Sequence, residues 1–173
     1  MKILKKRNSE ELIEKVFIEF IQYKEINEIS VTDICKKIKL NRSTFYANYI
    51  DIYDLAKKIK IKLEQDISNL YKDELENQYN SNNFLKLFEH IKENQLFYRT
   101  YFKLGFDNEN YIFQYDINQA KLYFDNQHID YHIEFFKNGL NAIIKKWLKE
   151  GCIETPQTIN EIISSEYKTR IIN

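Results

Sequence analysis

A chain of 173 residues with 43% hydrophobic and 15% aromatic content can bury a real core, which excludes a disordered polypeptide, while one proline and three glycines leave few breaks and favour long helices. Its 26 basic and 26 acidic side chains cancel, so the chain as a whole is not a polycation; the two lone cysteines, Cys35 and Cys152, exclude a disulfide scaffold or a thiolate zinc site. The opening MKILKKRNSEE has no signal-peptide core and no window approaches the roughly 20 apolar residues of a membrane span, so a cytoplasmic protein with no membrane partner is expected.

Asn8 and Glu11 have capping-box spacing, and Leu12, Ile13, Val16, Phe17, Phe20 and Ile21 then recur at intervals of three and four, predicting a first amphipathic helix to about Lys24. A loop follows through Glu25 to Ile29. Ser30 with Asp33 opens a short second helix whose Ile34, Cys35 and Ile38 face inward, and Asn41 caps a third only a few residues later. Asp51 with Asp54 caps a fourth, with Leu55, Ile59 and Leu63 as its stripe. One long helix is predicted from Ser81 to about Lys103, carrying Phe84, Leu87, Phe88, Ile91 and Phe97, with a break near Gly105. Another is predicted from about Asn110, with Tyr111, Ile112, Tyr115, Ile117 and Leu122. His128 to Glu150 has the clearest stripe, and Gly151 stands at its C-cap; Thr155 as N-cap and Pro156 at N1 then start a last helix ending near Arg170.

The fold class this predicts is all-α. Short second and third helices with a tight junction fit a helix-turn-helix, whose second member usually reads the DNA groove, although many small helical domains share that spacing. The charge distribution agrees: residues 1–60 hold thirteen Lys and Arg against nine Asp and Glu, and the remainder holds thirteen against seventeen.

The stretch ISVTDICKKIKLNRSTFYANYIDIYDLAKKI resembles the N-terminal domain of TetR-family transcriptional regulators, through Ser30-Val31-Thr32-Asp33-Ile34, Asn41-Arg42-Ser43-Thr44-Phe45-Tyr46, Tyr49 and Asp54-Leu55. YHIEFFKNGLNAIIKKWLKEGCIETPQTI, residues 131–159, resembles the regulatory domain of a TetR subgroup that includes regulators of dihydroxyacetone kinase operons. The resemblance implies a helix-turn-helix DNA-binding domain over residues 1–53 and a ligand-sensing and dimerisation domain over 54–173. It implies double-stranded DNA as partner and a palindromic operator read by a homodimer.

A recognition helix must bury one face and offer the other to DNA, and Phe45 and Tyr49, four apart, supply the buried anchors. Arg42, Ser43 and Tyr46 are left outward: Arg42 can reach guanine N7 and O6 or a phosphate, Ser43 adapts to base edges, and Tyr46 can meet a thymine methyl or a phosphate. The resemblance adds Thr44 and Asn48 as phosphate contacts and Thr32 as a residue near the groove. Two positions depart from the family pattern. Lys39 stands where the family has a glycine in a left-handed turn, at a cost of about 1 kcal/mol if that turn is kept. Ile52 replaces a phosphate-clamping lysine, a loss that Lys36, Lys39, Lys2, Lys5, Lys6 and Arg7 could offset.

Neither GxGxxG, GxxxxGK[ST] nor GxSxG occurs, so an enzyme is not expected and no cofactor is required. His128 and His132, four apart, could share a helix face with Asp125 or Glu134 nearby, but HxxxH without the adjacent glutamate is common by chance, and no metal is expected. The TetR resemblance implies an effector held in the C-terminal bundle. Phe84, Phe88, Tyr98, Tyr101, Phe102, Tyr111, Tyr115 and Tyr123 could line its site, which points to a small apolar or aromatic molecule; the same rings could equally fill a packed core. Phe135, Leu140, Ile144, Trp147, Ile159 and Ile163 are the expected dimerisation residues on the last two helices. The rival reading is a non-enzymatic, coactivator-like regulator that acts through a protein co-regulator with weak or no specific DNA binding.

Overall fold

The computed structural model describes residues 2–77, 84–108, 121, 122 and 124–168. The architecture is all-α, with no strand among the described residues. The helices are α1 (Lys2–Ile21), α2 (Val31–Ile38), α3 (Arg42–Tyr46), α4 (Ile52–Leu70), α5 (Lys72–Glu76), α6 (Leu85–Glu93), α7 (Gln95–Lys103), α8 (Ile129–Lys149) and α9 (Pro156–Lys168), with 3-10 turns at Ile26–Glu28 and Phe106–Asn108.

Two apolar cores organise these elements. The first gathers Ile13, Val16, Phe17 and Ile21 of α1, Ile34 and Cys35 of α2, Phe45 of α3, then Tyr49, and Ile52, Leu55, Ala56 and Ile59 of α4. The second gathers Leu63 and Ile67 of α4, Leu87, Phe88 and Ile91 of α6, Tyr98 and Tyr101 of α7, and Leu140, Ile144 and Trp147 of α8, closed by Ile159 and Ile163 of α9. Because α4 turns its first half into one core and its second half into the other, it is the shared beam of the molecule. Phe97 and Phe106 also pack against both.

Helix boundaries follow local chemistry. Ser30 Oγ accepts from Asp33 N–H at 3.1 Å, Asp51 Oδ1 from Asp54 N–H at 2.8 Å, and Thr155 Oγ1 from Thr158 N–H at 3.1 Å, so three expected N-caps are made. Gly151 (φ +81°) and Gly105 (φ +69°) take the left-handed conformation that ends helices. Asn41 occupies the cap position of α3, but its side chain makes no capping bond.

Two expectations are corrected. The first helix runs through the Asn8–Glu11 pair, beginning at Lys2 and ending at Ile21, three residues before Lys24. The single helix expected from Ser81 to Lys103 is two, α6 and α7, divided at Asn94. There the Asn94 amide N–H meets the carbonyls of both His90 and Ile91, and its side-chain Nδ2 donates to the same His90 carbonyl at 2.9 Å. A side chain competing for a helix carbonyl in this way breaks the regular ladder. Of the helix expected from about Asn110, the part with Tyr111, Ile112, Tyr115 and Ile117 lies outside the described residues, as do Tyr123 and Arg170, while Leu122 is helical and exposed.

Candidate nucleic-acid interface

The expected reader is assembled around α3. Phe45 is completely buried and Tyr49 nearly so, their rings 5.4 Å apart, and the anchored face is held against α1 and α2. Burying such a ring contributes about 1.5–3 kcal/mol, which a five-residue helix needs because its own hydrogen bonds cannot sustain it. With that face fixed, Arg42, Ser43 and Tyr46 all stand exposed on the other. Arg42 Nη2 lies 3.4 Å from Tyr46 Oη and its guanidinium 6.0 Å from the ring centroid. The cation and the phenol therefore form one plate, an arrangement able to present several donors to a base edge or phosphate.

The junction before α3 is the left-handed turn that the sequence made doubtful. Lys39 adopts φ 54°, ψ 41°, and Leu40 N–H closes back on Cys35 carbonyl at 3.0 Å. Lysine thus holds the conformation that glycine would enter without strain. Lys36 and Lys39 are exposed beside this turn, and Thr32 is half-buried in the first turn of α2. The Ser30 hydroxyl donates to Asp33 at 2.7 Å, which holds the Asp33 carboxyl below its ordinary range.

Not every expected contact residue points outward. Thr44 and Asn48 are half-buried; Asn48 Nδ2 donates to Thr44 carbonyl at 2.9 Å, while its Oδ1 is buried with no hydrogen-bond partner. The side chain of Asn48 is therefore turned into the helix end rather than toward a phosphate. Ile52 packs in the first core at 7% exposure. Sequence reasoning missed Lys58, whose ammonium donates to Asn48 carbonyl at 2.6 Å and lies 3.2 Å from Asp54 Oδ2. Its one legible signal was the Asp54–Lys58 spacing of four on a helix. Side chains of Lys2, Lys5, Lys6 and Arg7 are outside the described set.

In the C-terminal bundle, Phe88, Tyr98 and Tyr101 are core residues, with Phe84 and Phe102 packed against them. Phe88 meets Trp147 edge-on at 6.1 Å, and Tyr98 Oη lies 2.8 Å from His90 Nδ1. Burial pushes the Tyr71 hydroxyl up to about 12, raises Tyr98 further, and holds the His90 imidazole below its ordinary value. The two other histidines diverge: His132 stacks on Phe124 at 3.5 Å and His128 meets Tyr131 edge-on. Among the described residues no group of three His, Cys, Asp or Glu side chains could hold a metal.

Of the six expected dimerisation residues, only Phe135 is exposed, at 62%. Leu140, Ile144, Trp147, Ile159 and Ile163 are buried within the one chain, because α8 and α9 close the second core against α6 and α7. That corrects the expectation for those five: their contacts are already made intramolecularly.

A family model described as the transcriptional regulator C-terminal region of the TetR type matches residues 78–166, just over half of the chain. The chain belongs to the TetR-type transcriptional regulators. A curated relative, the HTH-type dhaKLM operon transcriptional activator DhaS of Lactococcus lactis subsp. lactis (strain IL1403), is 29% identical over 126 residues. That alignment covers 72% of this chain and 66% of the relative, slightly under two thirds of its length. A solved structure, the dihydroxyacetone kinase operon activator DhaS, shares the fold with a TM-score of 0.50 at 20% identity, over 94% of this chain and 95% of its own. This TetR-type chain is therefore a transcriptional regulator and not an enzyme. No helix among its described residues is long and apolar enough to cross a membrane.

Proposed function

We propose that this TetR-type regulator binds a palindromic double-stranded DNA operator as a homodimer, through α3 and the turn before it. The observation that carries this reading is the division of α3 into a buried anchor, Phe45 with Tyr49, and an exposed face of Arg42, Ser43 and Tyr46. Arg42, Ser43 and Tyr46 specify bases, while Thr32, Lys36, Lys39 and the backbone near Thr44 set the protein on the phosphates. One copy offers one half-site, so two readers are needed, separated by roughly 34–36 Å or a multiple. The second copy is received by the exposed face of α8, where Tyr131, Phe135, Gly139 and Ala142 share one side at helical spacing, together with Ile162 of α9.

Selection of bound fragments from genomic DNA tests the reading, followed by titration of the preferred duplex. Arg42→Ala should weaken that duplex by about 1–3 kcal/mol and relax the base preference where Arg42 reads. A folded, dimeric protein that retrieves no preferred sequence would transfer the function to a protein co-regulator. The effector part of the proposal is a small apolar or aromatic molecule entering beside Phe84 and Phe102, the two half-buried rings among the described members of the set. Since Phe88, Tyr98 and Tyr101 are packed, such a ligand must open the layer, and only a state with the layer open gains from it. A ligand screen read by thermal shift, with no compound stabilising the protein, would remove the effector.

A further inference from the structure

We propose that Lys58 is a positioning residue of the reader, the tie that fixes the recognition helix on α4; the inference rests on the DNA-binding reading above. The argument starts from the shortness of α3. Five residues make too few internal hydrogen bonds to hold an orientation, and the Asn41 side chain adds no cap at the front end. The far end must be held from outside.

Lys58 does this from ten residues away. Its ammonium donates to the Asn48 carbonyl at 2.6 Å, just past the end of α3, and pairs with Asp54 at 3.2 Å. Asp54 Oδ2 in turn accepts from Ile50 N–H at 2.9 Å, a bond that, with Lys58, holds this carboxyl below its ordinary range. The ammonium also lies 5.1 Å from the centroid of Tyr49, the ring packed on the α3 anchor Phe45. One cation therefore touches the helix end, the loop and the first turn of α4 together. Asn48, with its amide donating to Thr44 carbonyl, continues the tie into α3.

The geometry separates this role from a phosphate clamp. A clamp must present an uncommitted charge outward, whereas two donors of Lys58 are directed at Asn48 and Asp54, and its charge is matched by a carboxylate. At Ile52, where the family resemblance places the clamping lysine, the side chain is buried. Here the junction holds the reader by internal pairing.

The test compares the full chain with Lys58→Met and Lys58→Arg. Amide hydrogen exchange is read without DNA, and the salt dependence of binding is read on a duplex recovered by genomic selection. Lys58→Met should speed exchange over residues 48–54 and weaken the preferred duplex about tenfold through lost preorganisation. The slope of log affinity against log salt should stay unchanged, and Lys58→Arg should restore both readouts. Unchanged exchange in Lys58→Met overturns the tie. A slope reduced by about 0.9 assigns Lys58 to a phosphate instead and overturns it equally. Should the parent chain retrieve no preferred duplex, the DNA-binding reading fails, while exchange over 48–54 still decides whether Lys58 holds the junction.

Discussion

Replacing Lys39 by glycine is expected to stabilise the protein and, on the proposed DNA-binding reading, to weaken its hold on the operator. Lys39 sits at φ 54°, ψ 41°, where the Cβ of an L-residue crowds the following carbonyl at a cost of about 1–2 kcal/mol. Glycine removes that strain but loses more backbone freedom on folding, about 0.5–1 kcal/mol. The difference lies between about 0 and 1.5 kcal/mol, centred on a net gain of about 0.5–1 kcal/mol. The side chain itself is exposed, so little packing is lost, and the bonds that define the turn, Lys39 N–H to Lys36 carbonyl at 3.3 Å and Leu40 N–H to Cys35 carbonyl at 3.0 Å, involve backbone alone.

For a chain of this size such a gain raises the melting temperature by roughly 1–4 °C. Far-UV circular dichroism during urea and thermal unfolding measures it, with Lys39→Ala as the control that keeps the strain and removes the side chain. A stabilised Lys39→Gly beside an unimproved Lys39→Ala is the expected pattern. If Lys39→Gly is less stable than the parent, the strain argument is wrong. If Lys39 also rests on a phosphate, Lys39→Gly should lower the salt slope of binding by about 0.9, so stability and affinity move in opposite directions.

Asp51→Ala removes the acceptor for Asp54 N–H at the start of α4 and should cost about 1 kcal/mol in a denaturant titration, with Asp51→Asn close to the parent. His90 gives a pH dependence: burial holds its folded value below the ordinary 6.5, so the unfolded chain gains a proton first as pH falls. Stability is therefore full above about pH 6.5 and declines below it until the folded imidazole also titrates, and urea midpoints at pH 7.5 and 5.5 should differ less in His90→Gln. Phe135→Glu places a charge on the exposed face of α8 and should give a monomer in sedimentation with unchanged helicity; a persisting dimer would place the interface elsewhere.

Which parts were legible follows from how local their causes are. The caps at Ser30, Asp51 and Thr155 need only a side chain and an amide three residues on, and Phe45 with Tyr49 needs only helical spacing. Asn94 was not legible, because the apolar stripe through Leu87, Ile91, Tyr98 and Tyr101 continues in phase across it while the Asn94 amides compete with the ladder locally. The partner of a stripe is also absent from the sequence. Leu140, Ile144 and Trp147 have the pattern of an interface helix, yet α6, α7 and α9 cover them inside one chain, leaving Phe135 outside. Likewise nothing in the spacing of Asn48 shows that its amide turns back on Thr44.

On the proposed reading, a signal in the bundle reaches α3 along two sets of contacts. Helix α7 gives Tyr98 and Tyr101 to the second core, while Thr100 Oγ1, fully buried, receives Gln22 Nε2 from just past α1 at 3.1 Å. Lys103 Nζ donates to Lys24 carbonyl at 3.1 Å and pairs with Glu25 at 3.5 Å, and Phe97 packs on both cores. A nine-residue helix is stiff over its length, so displacing Tyr98 or Tyr101 must either drag Thr100 and Lys103 or break their bonds. On the other path α4 joins the Leu63–Ile67 side of the second core to Asp54 and Lys58 beneath the recognition helix. Opening the aromatic layer therefore acts on both supports of the reader, α1 behind it and α4 beneath its end. On the proposed reading, a packed layer, and not only a preformed cavity, is then enough to receive the signal that controls DNA binding.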